Sequence, residues 1–238
     1  MSDTIQQGIA LKQLELGDNE PSSAKLIFVL AMAGFLSGIL LVGTYLWTLP
    51  QIEANKAAAL QEAIFRVLPG CTEFVTLELN NNQLQLRQED GVQEGQKAQN
   101  ELPLVYQGFS ADGKIIGYAI AGQVSGFQDV IVALFGYNPE TDMIIGLEIL
   151  ESKETPGLGD KIFKDAAFQQ NFEALATSPI IKAVKSGAKS QQFEVEAITG
   201  ATISSKAVVK LLNTSMSEWR APVQNYAKEA NQLKSVEE

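Results

Sequence analysis

Hydrophobic and polar positions divide the chain into three regimes. Leu26 to Leu49 contains no charged residue, and a helix of that length, rising about 1.5 Å per residue, spans roughly 30 Å of hydrocarbon. Tyr45 and Trp47 stand at its end, where interfacial aromatics collect. From Gln51 to Leu68 the apolar residues Ile52, Leu60, Ile64, Val67 and Leu68 form a helical stripe around Ala57-Ala58-Ala59, and Pro69-Gly70 ends it. Glu73 to Leu86 then alternates as one or two strands about a turn at Asn80-Asn81-Asn82. Gln88 to Asn100 is polar and aperiodic, a surface loop.

Beyond residue 100 the period becomes that of strands. Pro103–Phe109, Lys114–Gly122, Val130–Tyr137 and Met143–Glu151 are predicted strands. They are joined by turns at Ala111-Asp112-Gly113, Ser125-Gly126-Phe127 and Asn138–Asp142. Asp165–Thr177 reads as a helix with Phe168, Phe172 and Leu175 on one face, and a second helix runs from Thr202 to Leu212 and on towards Tyr226. A meander of strands followed by helices predicts an α+β fold with an antiparallel sheet and flanking helices, behind a single N-terminal transmembrane helix. The expected divisions are an N-terminal segment 1–25, a membrane span 26–49, a connecting helix with accessory strands 50–100, a main outer domain 101–226 and a polar tail 227–238.

Charge and composition narrow the chemistry. The chain has 238 residues and a net charge of −10, which argues against nucleic acid as a partner. It has one cysteine, Cys71, and no histidine. An intrachain disulfide, a cysteine cluster, and Ser-His-Asp or Cys-His catalysis are thereby excluded, and no residue stands out as acid, base or nucleophile toward a diffusing substrate. Redox chemistry, if the protein performs it, comes from a bound organic cofactor. The leader carries Lys12 and Lys25 against Asp3, Glu15, Asp18 and Glu20, which fits an uncleaved anchor better than a signal peptide. Two lysines before the span and Lys56 after it predict a cytoplasmic N-terminus and an outward C-terminal domain. Gly34 and Gly38 have the spacing that permits close helix contact.

Two stretches stand out. In Thr199-Gly200-Ala201-Thr202-Ile203-Ser204-Ser205 a tight turn opens an amphipathic helix crowded with hydroxyls. First-turn N–H groups and the positive end of the helix dipole suit a phosphate, although the same hydroxyls equally serve as ordinary caps. In Glu154-Thr155-Pro156-Gly157-Leu158-Gly159-Asp160, Pro156 fixes φ while Gly157 and Gly159 permit close approach of the backbone to a flat ligand. By itself this stretch also reads as a plain strand-to-helix loop.

Together these two motifs resemble the covalent FMN-binding domain family, which includes the G subunit of the Rnf electron-transport complex and the C subunit of the sodium-translocating NADH:quinone oxidoreductase. The resemblance covers roughly the anchor and the outer domain to Tyr226. It implies FMN joined through a phosphoester to Thr202, with Thr199, Gly200, Ala201, Ser204 and Ser205 around the phosphate. It further implies Glu154, Thr155, Gly157 and Leu158 near the flavin ring, and Ser125 and Gly126 on the opposite side. The Gly157–Ile162 stretch looks more like that of the Rnf protein. The function implied is an electron-relay subunit of a membrane-bound Rnf-type complex coupling ferredoxin/NAD electron transfer to ion translocation, not catalytic alone. Its partners are then the other membrane subunits, with a flavin transferase for maturation, at the bacterial inner membrane and with the domain on the periplasmic side. The alternatives are the corresponding quinone-reductase protein, or a non-redox membrane-anchored binding module. Two positions depart from the family pattern: Glu196 stands where Asp is usual, and Ser152 lies where related Rnf proteins often have His.

Overall fold

The computed structural model describes residues 22–87 and 104–237, with side chains as far as residue 230. Most of the 1–25 segment and the expected loop at 88–100 lie outside the described residues. The chain forms two compact units, one ending at Lys56 and one beginning at Ala57.

The described part of the first unit is helical. Helix α1 (Ser23–Val67) runs without a break through Pro50, where two separate helices were expected. Proline removes one backbone donor and crowds the carbonyl four residues back. In the turns before it, the Thr44 and Thr48 hydroxyls donate to the carbonyls of Leu40 and Thr44 at 2.7 and 3.0 Å. Hydroxyls of this kind help an apolar helix accommodate a proline. The helix is long and apolar enough to cross a membrane.

The second unit is built on an antiparallel meander. Its strands are β1 (Glu73–Asn80), β2 (Gln83–Leu86), β3 (Leu104–Phe109), β4 (Ile115–Ser125), β5 (Val130–Asn138), β6 (Met143–Glu151) and the short β7 (Leu175–Ala176). They form one sheet in the order β2-β1-β3-β4-β5-β6-β7. Asn81 and Asn82 at the β1–β2 turn both have positive φ, 49° and 64°, the geometry of a primed hairpin turn. Because β1 pairs with β3 from Glu73↔Phe109 to Glu78↔Leu104, the sheet crosses the division expected at residue 100.

Helix α2 (Lys161–Lys164) and helix α3 (Ala166–Gln170) follow β6. The long helix expected over Asp165–Thr177 is therefore one short helix plus a turn and β7. Asn171 ends it: its side-chain amide donates to the Ala167 and Phe168 carbonyls, both at 3.1 Å, in place of a further helical turn. Leu175 then pairs with Ile144 in the sheet. A parallel pair, β8 (Lys182–Lys185) and β9 (Glu194–Ala197), was not legible in the alternation of so few residues. Helix α4 (Thr202–Glu237) starts where the sequence placed it and continues past Tyr226 through the expected polar tail.

The sheet is covered on both faces. On one, Tyr118, Ile120, Ile131 and Phe135 pack with Val208, Leu212, Trp219 and Val223 of α4. On the other, Ala63, Ile64, Val67 and Leu68 pack against Ala119 and Leu134. This second contact needs glycine. A methyl group on Gly136 would collide with the Val67 carbonyl, and one on Gly146 would lie 2.7 Å from the Val67 Cα. The result is three layers, with the β4–β5 turn, the loop after β6 and the start of α4 at the site described next.

Candidate functional site

Three segments distant in sequence meet at one cleft of about 300 Å³. It is lined by Phe127 from the β4–β5 turn, by Glu154, Thr155, Leu158 and Gly159 from the loop after β6, and by Gly200 to Ser204 at the start of α4. The two motifs singled out in the sequence are thus two walls of one site.

The loop 154–160 is shaped by its own hydrogen bonds. The Leu158 N–H donates to the Thr155 carbonyl at 3.1 Å, and Gly157 takes φ of 78°. Lys164 Nζ holds the Asp160 carboxylate at 2.6 Å at the end of the loop. The Thr155 hydroxyl donates to Gln128 Oε1 at 2.9 Å, joining this loop to the β4–β5 turn. Leu158 lies over the turn at Gly200, whose φ is 86°.

Glu154 is the buried centre of the site. Its Oε1 accepts from the backbone N–H of Phe127 at 2.9 Å and of Gln128 at 3.1 Å. Its Oε2 accepts from the Ser204 hydroxyl at 2.5 Å. Burial pushes its carboxyl up, but the Ser204 hydroxyl and the N–H groups of Gln128, Asp129 and Phe127 outweigh that and hold it below the ordinary carboxylate value. Glu154 therefore remains charged at neutral pH.

The hydroxyls of the opening motif have separate fates. Thr202 is exposed at the first turn of α4, and its one short-range contact is a long 3.4 Å donation to the Ile198 carbonyl. Ser204 faces Glu154. Ser205 is fully buried, accepting from the Ile198 N–H at 3.1 Å and donating to the Ala201 carbonyl at 2.9 Å. It braces the turn and does not face the cleft. Ser205→Ala is expected to cost about 1–3 kcal/mol of stability, because the Ile198 N–H loses its acceptor. Urea denaturation measures this, and an unchanged midpoint would deny the brace.

Thr199 does not line the cleft either. It lies with Glu196, Lys161 and Asp165 in a second hollow of about 280 Å³ behind the Gly200 turn. Glu196 Oε1 there accepts from the Lys189 N–H at 3.3 Å. Ser125 ends β4 and Gly126 opens the β4–β5 turn, where its N–H donates to the Asp129 carbonyl at 2.8 Å, and of these turn residues it is Phe127 that lines the cleft. Ile203 was not anticipated. Its signal was available in the sequence, as an apolar residue between two hydroxyls where a capping turn would ordinarily be polar. Phe127, Leu158 and Ile203 are 65%, 50% and 57% exposed, so the walls are apolar and open. Open apolar walls beside a hydroxyl at a helix N-terminus fit a planar aromatic group carrying an anionic tail. Among the described residues no group of three or more acidic or cysteine side chains could hold a metal ion.

Residues 126–217 match the FMN-binding domain family. The G subunit of the ion-translocating oxidoreductase complex of Methanosarcina acetivorans is 29% identical over 192 residues, covering 81% of this chain and 92% of that protein. The G subunit of the Na(+)-translocating ferredoxin:NAD(+) oxidoreductase complex of Acetobacterium woodii is 34% identical over 53% of this chain and 59% of its own length. The proton-translocating counterpart of Clostridium ljungdahlii is 28% identical over 76% of this chain and 83% of its own length. The crystal structure of Shewanella oneidensis NqrC superimposes with a TM-score of 0.53 at 17% identity, over 76% of this chain and 99% of that one. That of the C subunit of the Na(+)-translocating NADH-quinone reductase from Parabacteroides distasonis does so with 0.56 at 19%, over 75% and 96%.

Proposed function

We propose that the chain is an FMN-binding G subunit of an ion-translocating oxidoreductase complex, the electron-relay subunit of a membrane-bound Rnf-type complex, with FMN esterified to Thr202. The observation that carries the attachment site is the exposed Thr202 hydroxyl at the N-terminus of a 36-residue helix, on the rim of an apolar cleft. Relatives are named for sodium and for proton translocation alike, so no coupling ion is assigned.

FMN, once bound, supplies the ability to accept and release electrons. The residues of the chain hold it. First-turn amides of α4 and the dipole behind them favour a phosphate at Thr202 by about 1 kcal/mol. Leu158, Phe127 and Ile203 offer apolar surface to the ring and keep water from it, while Thr155 and Glu154 fix the loop that carries Leu158. An esterified cofactor cannot diffuse away, which suits a relay lodged between fixed partners. In this reading the apolar span anchors the domain at the bacterial inner membrane, and the lysine bias argues for the periplasmic side. Maturation then needs a flavin transferase.

Intact-mass spectrometry tests the assignment. Full-length chain produced with a flavin transferase is expected to carry the added mass of FMN minus water, on the peptide containing Thr202. Unmodified mass in the presence of active transferase overturns it.

A further inference from the structure

Glu154 is held more elaborately than binding alone requires. It lies between three segments, 5% exposed, and both its oxygens face protein donors: two amides of the β4–β5 turn on one side, the Ser204 hydroxyl on the other. The two glycines that flank it make its room. A methyl group on Gly126 would strike Glu154 Oε1 and one on Gly159 would strike Oε2. The Ser-Gly-Phe turn and the Gly-Leu-Gly loop are therefore parts of one carboxylate socket.

The socket holds the charge with dipoles only. Its donors are neutral, and no cation among the described residues pairs with Glu154. Lys153, next in the chain, is 85% exposed and turns to Asp129 at 3.6 Å. Amides and a hydroxyl stabilise a carboxylate without cancelling its field, so a full negative charge remains in the cleft wall.

We propose that Glu154 is the positioning residue of this cleft and that its negative charge, beside the flavin, holds the flavin's midpoint potential down. This rests on the reading that FMN occupies the cleft. Reduction moves an electron from the donor group of the complex onto the flavin. Glu154 neither gains nor loses an electron or a proton. Its charge opposes the incoming electron, and so favours passing it onward.

The experiment is a redox titration of full-length flavinylated protein in detergent, with bound flavin checked first by fluorescence of the denatured chain. Glu154→Gln keeps the shape and an acceptor oxygen for the two amides but removes the charge. Its midpoint potential is expected to rise, while Glu154→Asp, which keeps the charge, stays close to the parent. An unchanged potential in loaded Glu154→Gln overturns the proposal. So does a rise of the same size in Ser204→Ala, since that variant disturbs the socket but leaves the charge. If Glu154→Gln takes up no flavin, Ser204→Ala decides the matter: a less satisfied carboxylate is expected to lower the potential, and a rise or no change overturns the proposal. Absence of flavin from the parent chain would instead overturn the reading that FMN occupies the cleft.

Discussion

Thr202→Ala is expected to abolish covalent flavin completely. Full-length protein made with a flavin transferase, denatured and run on a gel, should fluoresce as the parent and be dark as the variant. The size of the effect follows from the absence of a substitute. Ser205 is fully buried and bonded on both sides, the Ser204 hydroxyl is engaged as a hydrogen-bond donor to Glu154, and Thr199 faces the hollow behind the turn. Only Thr202 combines exposure with a place on the cleft at the helix N-terminus. The change should leave folding nearly intact, within about 0.5 kcal/mol, because an exposed side chain with one long hydrogen bond is removed. Thr202→Ser, which keeps the oxygen, should retain fluorescence. Full fluorescence in Thr202→Ala would move the attachment elsewhere.

The second large effect is structural. Gly136→Ala is expected to destabilise the outer domain by about 3 kcal/mol, the upper part of the range for overpacking. The added methyl group meets backbone, the Val67 carbonyl, and not the end of a flexible side chain. Relief requires moving the end of α1 away from the sheet, which opens the packing of Ile64, Val67 and Leu68 against Ala119 and Leu134. For a unit of this size such a loss lowers the melting temperature by roughly 6–12 °C. Thermal denaturation followed by circular dichroism measures it. A melting temperature within a degree or two of the parent would mean that the contact between α1 and the sheet is loose.

Much of the architecture was legible in the chain because it depends on local rules. The uncharged run from Leu26 is long and apolar enough, by length and composition, to cross a membrane. The β1–β2 turn at Asn81 and Asn82 and the bounds of β6 follow from turn chemistry and alternation. The start of α4 at Thr202 follows from a glycine turn before an amphipathic run. Where the reading departed, a non-local partner had decided. The apolar spacing of Phe168, Phe172 and Leu175 suggested one helix. All three are indeed buried, but Leu175 reaches the core from a strand because Ile144 offers it a pairing edge. One helix was expected over Leu26–Leu49 and another over Gln51–Leu68, yet helical sequence on both sides of Pro50 outweighs one missing hydrogen bond. Gly136 and Gly146, unremarkable in the sequence, are explained only by the Val67 backbone lying against them.

The same division holds at the site. Sequence alone determined the apolar span, the meander and the two motifs, since each is written in consecutive residues, and the lack of histidine and of a second cysteine is read from it directly. Which hydroxyl faces the cleft, which braces the turn and which lies behind it was decided by tertiary structure. A helix rotates successive side chains by about 100°, so Thr202, Ile203, Ser204 and Ser205 point in four directions, and only the surroundings give each direction a meaning. The carboxylate socket is the clearest case. Glu154, Gly126, Gly159 and Ser204 lie on segments with no sequence relation, and their common purpose exists only where the folded sheet brings the β4–β5 turn, the loop after β6 and the start of α4 within hydrogen-bond reach.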